Sequence, residues 1–185
     1  MNQSALTKFM FETRVNYPGF QIRRKTDSTL MKVIAFLLLI VTFGQQKTFM
    51  TDYVTTVGQK VYVPDGFDAW DEYRKLVVLR HERVHMEQAR RYGLFLFGFL
   101  YLCVPFPLFF AYFRAKFEWE AYEESMRAVV ERNGLRILDD PKYKKSIFDH
   151  FTTGAYGWMW PFTRTLEAWY EASRRKIAME LNPYG

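Results

Sequence analysis

The sequence predicts a mainly helical α+β fold: a small β-hairpin, a long helix carrying two histidines, and then a helical hairpin. Three observations point there. Residues 53–63 are rich in β-branched side chains and split by Gly58-Gln59, the pattern of two short strands and a turn. Residues 70–92 contain no proline or glycine, and Val77, Val78, His81, Val84, His85 and Gln88 follow the three-and-four spacing of one helix face. Residues 92–113 carry no charged side chain but are interrupted by Gly93, Gly98, Pro105 and Pro107.

In chain order, residues 1–26 read as an irregular segment with a turn at Tyr17-Pro18-Gly19. Arg23-Arg24-Lys25 is a basic cluster, read as solvated in preference to lipid-facing. The first residues mix polar and apolar side chains, so no signal peptide is expected. Asp27 or Ser28 can cap a helix beginning near Thr29. Its apolar run, Val33 to Phe43, is too short to span a bilayer and is expected to be a buried core helix ended by Gly44. Strands follow at 53–57 and 60–63, closed by Pro64-Asp65-Gly66. The second of them, Lys60 to Val63, is either an ordinary sheet strand or a free edge that could dock an extended peptide.

The long helix runs from about Trp70 to Tyr92, with Asp68 or Asp71 serving its positive end. A single spanning helix over 92–113 would put His85 and any ligand further on at opposite faces of a bilayer. The expected form is therefore a buried helical hairpin turning at Val104-Pro105-Phe106-Pro107, with a hairpin dipping into one leaflet as the alternative. A helix from about Phe109 ends at Asn133-Gly134. A short helix is expected near 141–149, a loop at 152–157, and an amphipathic helix at 163–181.

At 185 residues the chain is read as one domain, able to bury a core without staples. Its one cysteine, Cys103, cannot form an internal disulfide. The formal charge of +6 is spread along the chain, which argues against a nucleic-acid partner and fits an anionic membrane surface at least as well. Aromatic residues make up 19%, which suits a thick core or an interfacial surface. The expected location is cytoplasmic, with membrane association through 92–113 left open.

The chemistry centres on His81-Glu82-Arg83-Val84-His85; the only other histidine is His150. On a helix, positions four apart lie on one face, so two imidazoles can bind one metal ion while Glu82 takes a proton from a water bound there. Such a zinc site needs a third protein ligand. A third histidine in the metzincin spacing is excluded, because those positions are Gln88 and Arg91. The candidates are therefore downstream carboxylates and His150. Glu118 is favoured, beside apolar Phe117, Ala121 and Tyr122, with Glu120, Glu123 and His150 as alternatives. For Glu118 to return past the histidines the outgoing limb must bend, since two straight helices would leave them roughly 13 Å out of register. Gly93 and Gly98 are where it can do so.

His-Glu-x-x-His followed by Glu118-Trp119-Glu120-Ala121-Tyr122 resembles the gluzincin metallopeptidases, most closely the membrane-associated CAAX prenyl-protease type with its Glu-x-x-Ala-Asp. That resemblance implies a zincin-like domain in which Glu118 binds zinc. It also implies that the residue four later supports a ligand histidine; here that residue is Tyr122 in place of Asp. Thr55-Thr56-Val57-Gly58-Gln59-Lys60-Val61-Tyr62-Val63-Pro64 is similar to a run in small HExxH proteins of bacteria and phages, which carry no assigned substrate.

The expected activity is thus that of a zinc-dependent hydrolase, a metallopeptidase acting on a peptide or protein substrate. His81, His85 and Glu118 hold Zn2+, and Glu82 is the general base. His150 and Tyr156 are candidates to stabilise the oxyanion. Two other classes compete with it: a metal-stabilised structural or membrane-associated protein that keeps the motif without turnover, and a membrane-surface binding module built on 92–113.

Overall fold

Val61, Tyr62 and Val63 are almost fully buried, although successive side chains of a strand point to opposite faces. A strand so apolar on both faces belongs at the centre of a sheet. The computed structural model describes residues 3–42, 44, 46–102, 111–153 and 159–182. In it β1 (Gln21–Arg24), β2 (Thr55–Val57) and β3 (Lys60–Val63) form one sheet in the order β1-β3-β2. β2 and β3 make the expected antiparallel hairpin, with Thr55 opposite Tyr62 and Val57 opposite Lys60. Gly58 turns it at φ +61°, a conformation that an L side chain resists.

One expectation fails at this sheet, and one alternative is decided. The first 26 residues are not irregular: α1 (Ala5–Asn16) is capped by Ser4, and β1 pairs in parallel with β3. Neither element shows in the sequence alone. α1 has little hydrophobic periodicity, and β1 is four residues with two arginines. Nor is β3 a free edge, because β1 and β2 hydrogen-bond to its two sides.

The chain divides into two compact units, residues 1–98 and 99–185. In the first, Val61 and Val63 pack with Phe9, Tyr17, Phe20 and Phe67, and with Leu79 and Met86 of α3 (Glu72–Tyr92). Tyr62 points the other way, into a smaller cluster with Phe49 and with Met31 of α2 (Thr29–Val41). The alternating pleat of β3 thus holds α1 and α3 on one side and α2 on the other.

α2 begins where the cap signal places it, with Ser28 Oγ accepting from the Met31 amide. It is not the buried helix that its composition predicts. Met31, Ile34, Ala35 and Leu38 pack inward, whereas Leu30, Val33, Phe36, Leu37 and Ile40 are 46–63% exposed.

α3 is capped by Asp71, whose side chain accepts from the Arg74 amide at 2.9 Å, and it stops at Gly93 with φ +77°. α4 (Leu94–Leu102) follows at once, so the chain breaks at Gly93 but runs helically through Gly98. The expected burial of this segment holds at Phe97 but fails at Leu94, Phe95, Leu96 and Phe99, which are 49–94% exposed. The proposed turn at Val104–Pro107 lies outside the described residues. Among the described residues no helix is long and apolar enough to cross a membrane.

The second unit is built from α5 (Ala111–Asn133), α6 (Pro141–Thr152) and α7 (Thr163–Leu181). Trp119, Met126 and Val130 of α5 meet Ile147 and Phe151 of α6 and Leu166, Tyr170 and Ile177 of α7. Two buried polar bonds fix this packing. Trp119 Nε1 donates to Ser173 Oγ at 3.1 Å, and Tyr170 Oη donates to the Leu138 carbonyl at 2.8 Å.

Candidate metal centre

α3 carries the histidine motif on an uninterrupted helix. Leu79, Glu82, His85, Met86, Gln88 and Ala89 form its buried face. His81 is half-buried. The rings of His81 and His85 stand 5.0 Å apart, nearly edge to face, and each offers a nitrogen within 4.8 Å of one on the other. One turn of helix therefore aims two imidazole nitrogens at one small volume.

The protonation of His85 is set by its neighbour. Its Nδ1 lies 2.9 Å from Oε1 of Gln88, which is itself 1% exposed. The amide oxygen only accepts, so Nδ1 carries the hydrogen and Nε2 keeps the lone pair that a metal requires. Phe97 of α4 packs 6.3 Å from the same ring. From the sequence, Gln88 either orients a ligand or simply fills the helix face, and the contact with His85 Nδ1 favours the first.

Glu82 is the unusual member. It is 5% exposed, and its Oε2 is buried without a hydrogen-bond partner among the described residues. Burying a carboxyl oxygen with no donor costs about 1–3 kcal/mol or more. An orphaned acceptor in such a place is what an exogenous donor, such as an activated water, would satisfy.

Lys25 carries no mark in the sequence. It is fully buried, its ammonium donates to the Phe49 carbonyl at 2.6 Å, and it stands 3.5 Å over the centre of the Phe49 ring. Burial pushes its pKa down to about 7, while the negative charge of Glu82 works in the opposite direction. Within Arg23-Arg24-Lys25 nothing in the composition marks the third residue as different. Only the pairing of β1 does so, by ending the strand against the core.

In the second unit Glu118 lies on α5 between buried Phe117 and Trp119, and Tyr101 Oη donates to its carboxylate. Tyr122, one turn later, packs its ring 5.1 Å from that of His150 on α6. His150 directs Nδ1 at the Ser146 carbonyl at 2.6 Å, so that nitrogen is the donor. Glu123 is held elsewhere. Its Oε1 accepts from Arg127 at 2.5 Å and from Lys176 at 2.7 Å, and its Oε2 accepts from Ser173 at 2.8 Å. Burial alone would raise its pKa, but these donors hold it below the ordinary carboxylate value. With both oxygens engaged, Glu123 serves the packing of α5 on α7. Tyr156 lies outside the described residues.

The donor set suits zinc: two imidazoles four residues apart, one of them oriented by a buried amide, and a neighbouring carboxyl short of a donor. The chain matches no family model, no curated protein and no solved structure.

Proposed function

We propose that the protein is a zinc-dependent hydrolase, a peptidase in the first instance. The observation that carries this reading is Glu82: a buried carboxyl with one oxygen unpartnered among the described residues, on the helix turn between half-buried His81 and buried His85. His81 and His85 are the two imidazole ligands, and Glu118 is the proposed third, on the strength of its match to the gluzincin pattern. A bound zinc ion would act as a Lewis acid and lower the pKa of a coordinated water towards about 7.

The residues supply the rest. Gln88 holds His85 in the tautomer with its hydrogen on Nδ1, the form in which Nε2 can ligate a metal. Glu82 Oε2 accepts a proton from the attacking water and returns it to the leaving amine. Tyr101 donates to Glu118 and so fixes how that carboxylate presents itself. His150 packs on Tyr122, one helical turn after Glu118, with Nδ1 committed to the Ser146 carbonyl, and it is kept as a candidate to stabilise the oxyanion. The substrate class proposed is a peptide or protein, the location cytoplasmic.

The deciding experiment pairs metal analysis with turnover. Purified protein should hold about one zinc per chain, and His85→Ala should lose it. Glu82→Gln should keep the zinc and lose cleavage of a mixed peptide library. Zinc in both with no cleavage by the wild type would make the centre structural. No zinc in well-folded protein that has never met a chelator would remove the hydrolase reading altogether.

A further inference from the structure

α2 is apolar on nearly every face, yet among the described residues only one side of it is covered. Seventeen large hydrophobic side chains are exposed among the described residues, and six of these belong to this one helix. Leu30, Val33, Leu37 and Ile40 repeat at three and four, so they make a continuous stripe, with Phe36 on its flank at 63% exposure. A contiguous exposed apolar face of this kind marks an interaction surface. At 13 residues the helix is about 20 Å long, short of the roughly 30 Å of bilayer hydrocarbon, so it can lie in a membrane surface but cannot cross one.

Charge decides between a membrane and a second copy of the chain. Between residues 12 and 52 the basic residues outside the core are Arg14, Arg23, Arg24, Lys32 and Lys47, and the acidic ones are Glu12, Asp27 and Asp52, which leaves the stretch net basic. A symmetric dimer through α2 would bring two such basic stretches together. An anionic lipid surface would be attracted to the same stretch. Arg23, Lys32 and Lys47 are all exposed, before, on and after the helix. We propose that α2 lies in the surface of an anionic bilayer, its Leu30, Val33, Leu37 and Ile40 stripe at the acyl boundary and Arg23, Lys32 and Lys47 among the headgroups. This holds whether or not the histidine centre is catalytic.

The test is flotation of the full chain with vesicles of phosphatidylcholine alone or mixed with phosphatidylglycerol. Binding should favour the anionic vesicles and weaken with salt. Leu37→Ser combined with Phe36→Ser should lower it at least tenfold, and Lys32→Glu with Lys47→Glu should lower it as well. All four side chains are exposed, so circular dichroism should show both variants folded. Wild-type protein that stays unbound at low salt would overturn the proposal. So would equal flotation of wild type and the Leu37/Phe36 variant. Sedimentation as a dimer that this variant dissociates, without vesicle binding, would overturn it in favour of self-association.

Discussion

Gln88 and Lys25 are the residues whose meaning depends most on their contacts. Gln88→Leu removes the acceptor that fixes the His85 tautomer. If the histidine centre holds zinc, this variant should weaken its retention 10- to 100-fold against a competing chelator while leaving His81 and His85 in place. Lys25 makes a prediction about pH. Its folded pKa is about 7, and the ordinary value that the unfolded chain keeps is 10.5. Below about pH 7 both states hold the proton. Between about 7 and 10.5 the unfolded chain binds a proton that the folded protein lacks, so stability rises with pH across that window. Urea unfolding should record a rise on the order of a few kcal/mol, and Lys25→Met should flatten it. The histidine motif was legible because its chemistry is written in the residue types and their spacing. Lys25 was not, since an ammonium in a basic triplet looks solvated until a strand is paired beneath it.

The helices were legible in proportion to their local signals. α3 has a capping aspartate, an unbroken interior and a terminal glycine, and it spans nearly the residues expected of it. β2 and β3 likewise follow from β-branched runs around Gly58. What escaped was set by partners distant in the chain. β1 exists because β3 offers it an edge, and α1 because Phe9 and Thr13 meet a core that its own sequence does not announce. α2 was placed correctly but turned inside out in part, because an all-apolar helix does not say which side is covered. Deleting residues 1–26 should therefore abolish cooperative unfolding of the first unit, where a disordered leader would be removed without effect. Gly93→Ala, at φ +77° and ψ +145°, should cost about 1–3 kcal/mol of backbone strain in thermal unfolding, with no clash to add to it.

At the scale of the whole molecule the metal is a matter of mass action. If the histidine centre binds zinc in the folded state alone, a hundredfold excess over Kd adds about 2.7 kcal/mol. Chelation should then lower Tm reversibly in the wild type and leave His85→Ala unmoved.

The sheet also has a consequence for how the protein is made. β2 and β3 are joined by two residues, so their hairpin can close within microseconds. β1 arrives from far away: the Gly19 amide donates to the side chain of Gln59, forty positions on, and the Gln21 amide to its carbonyl. Closing that loop is entropically costlier, so the parallel pair is expected to form after the hairpin. Lys25 follows directly from β1, and its ammonium leaves water only when that strand docks. Refolding should therefore release its proton in the slow phase, and the rate of that phase should respond to substitutions at Ile22 but little to those at Val57.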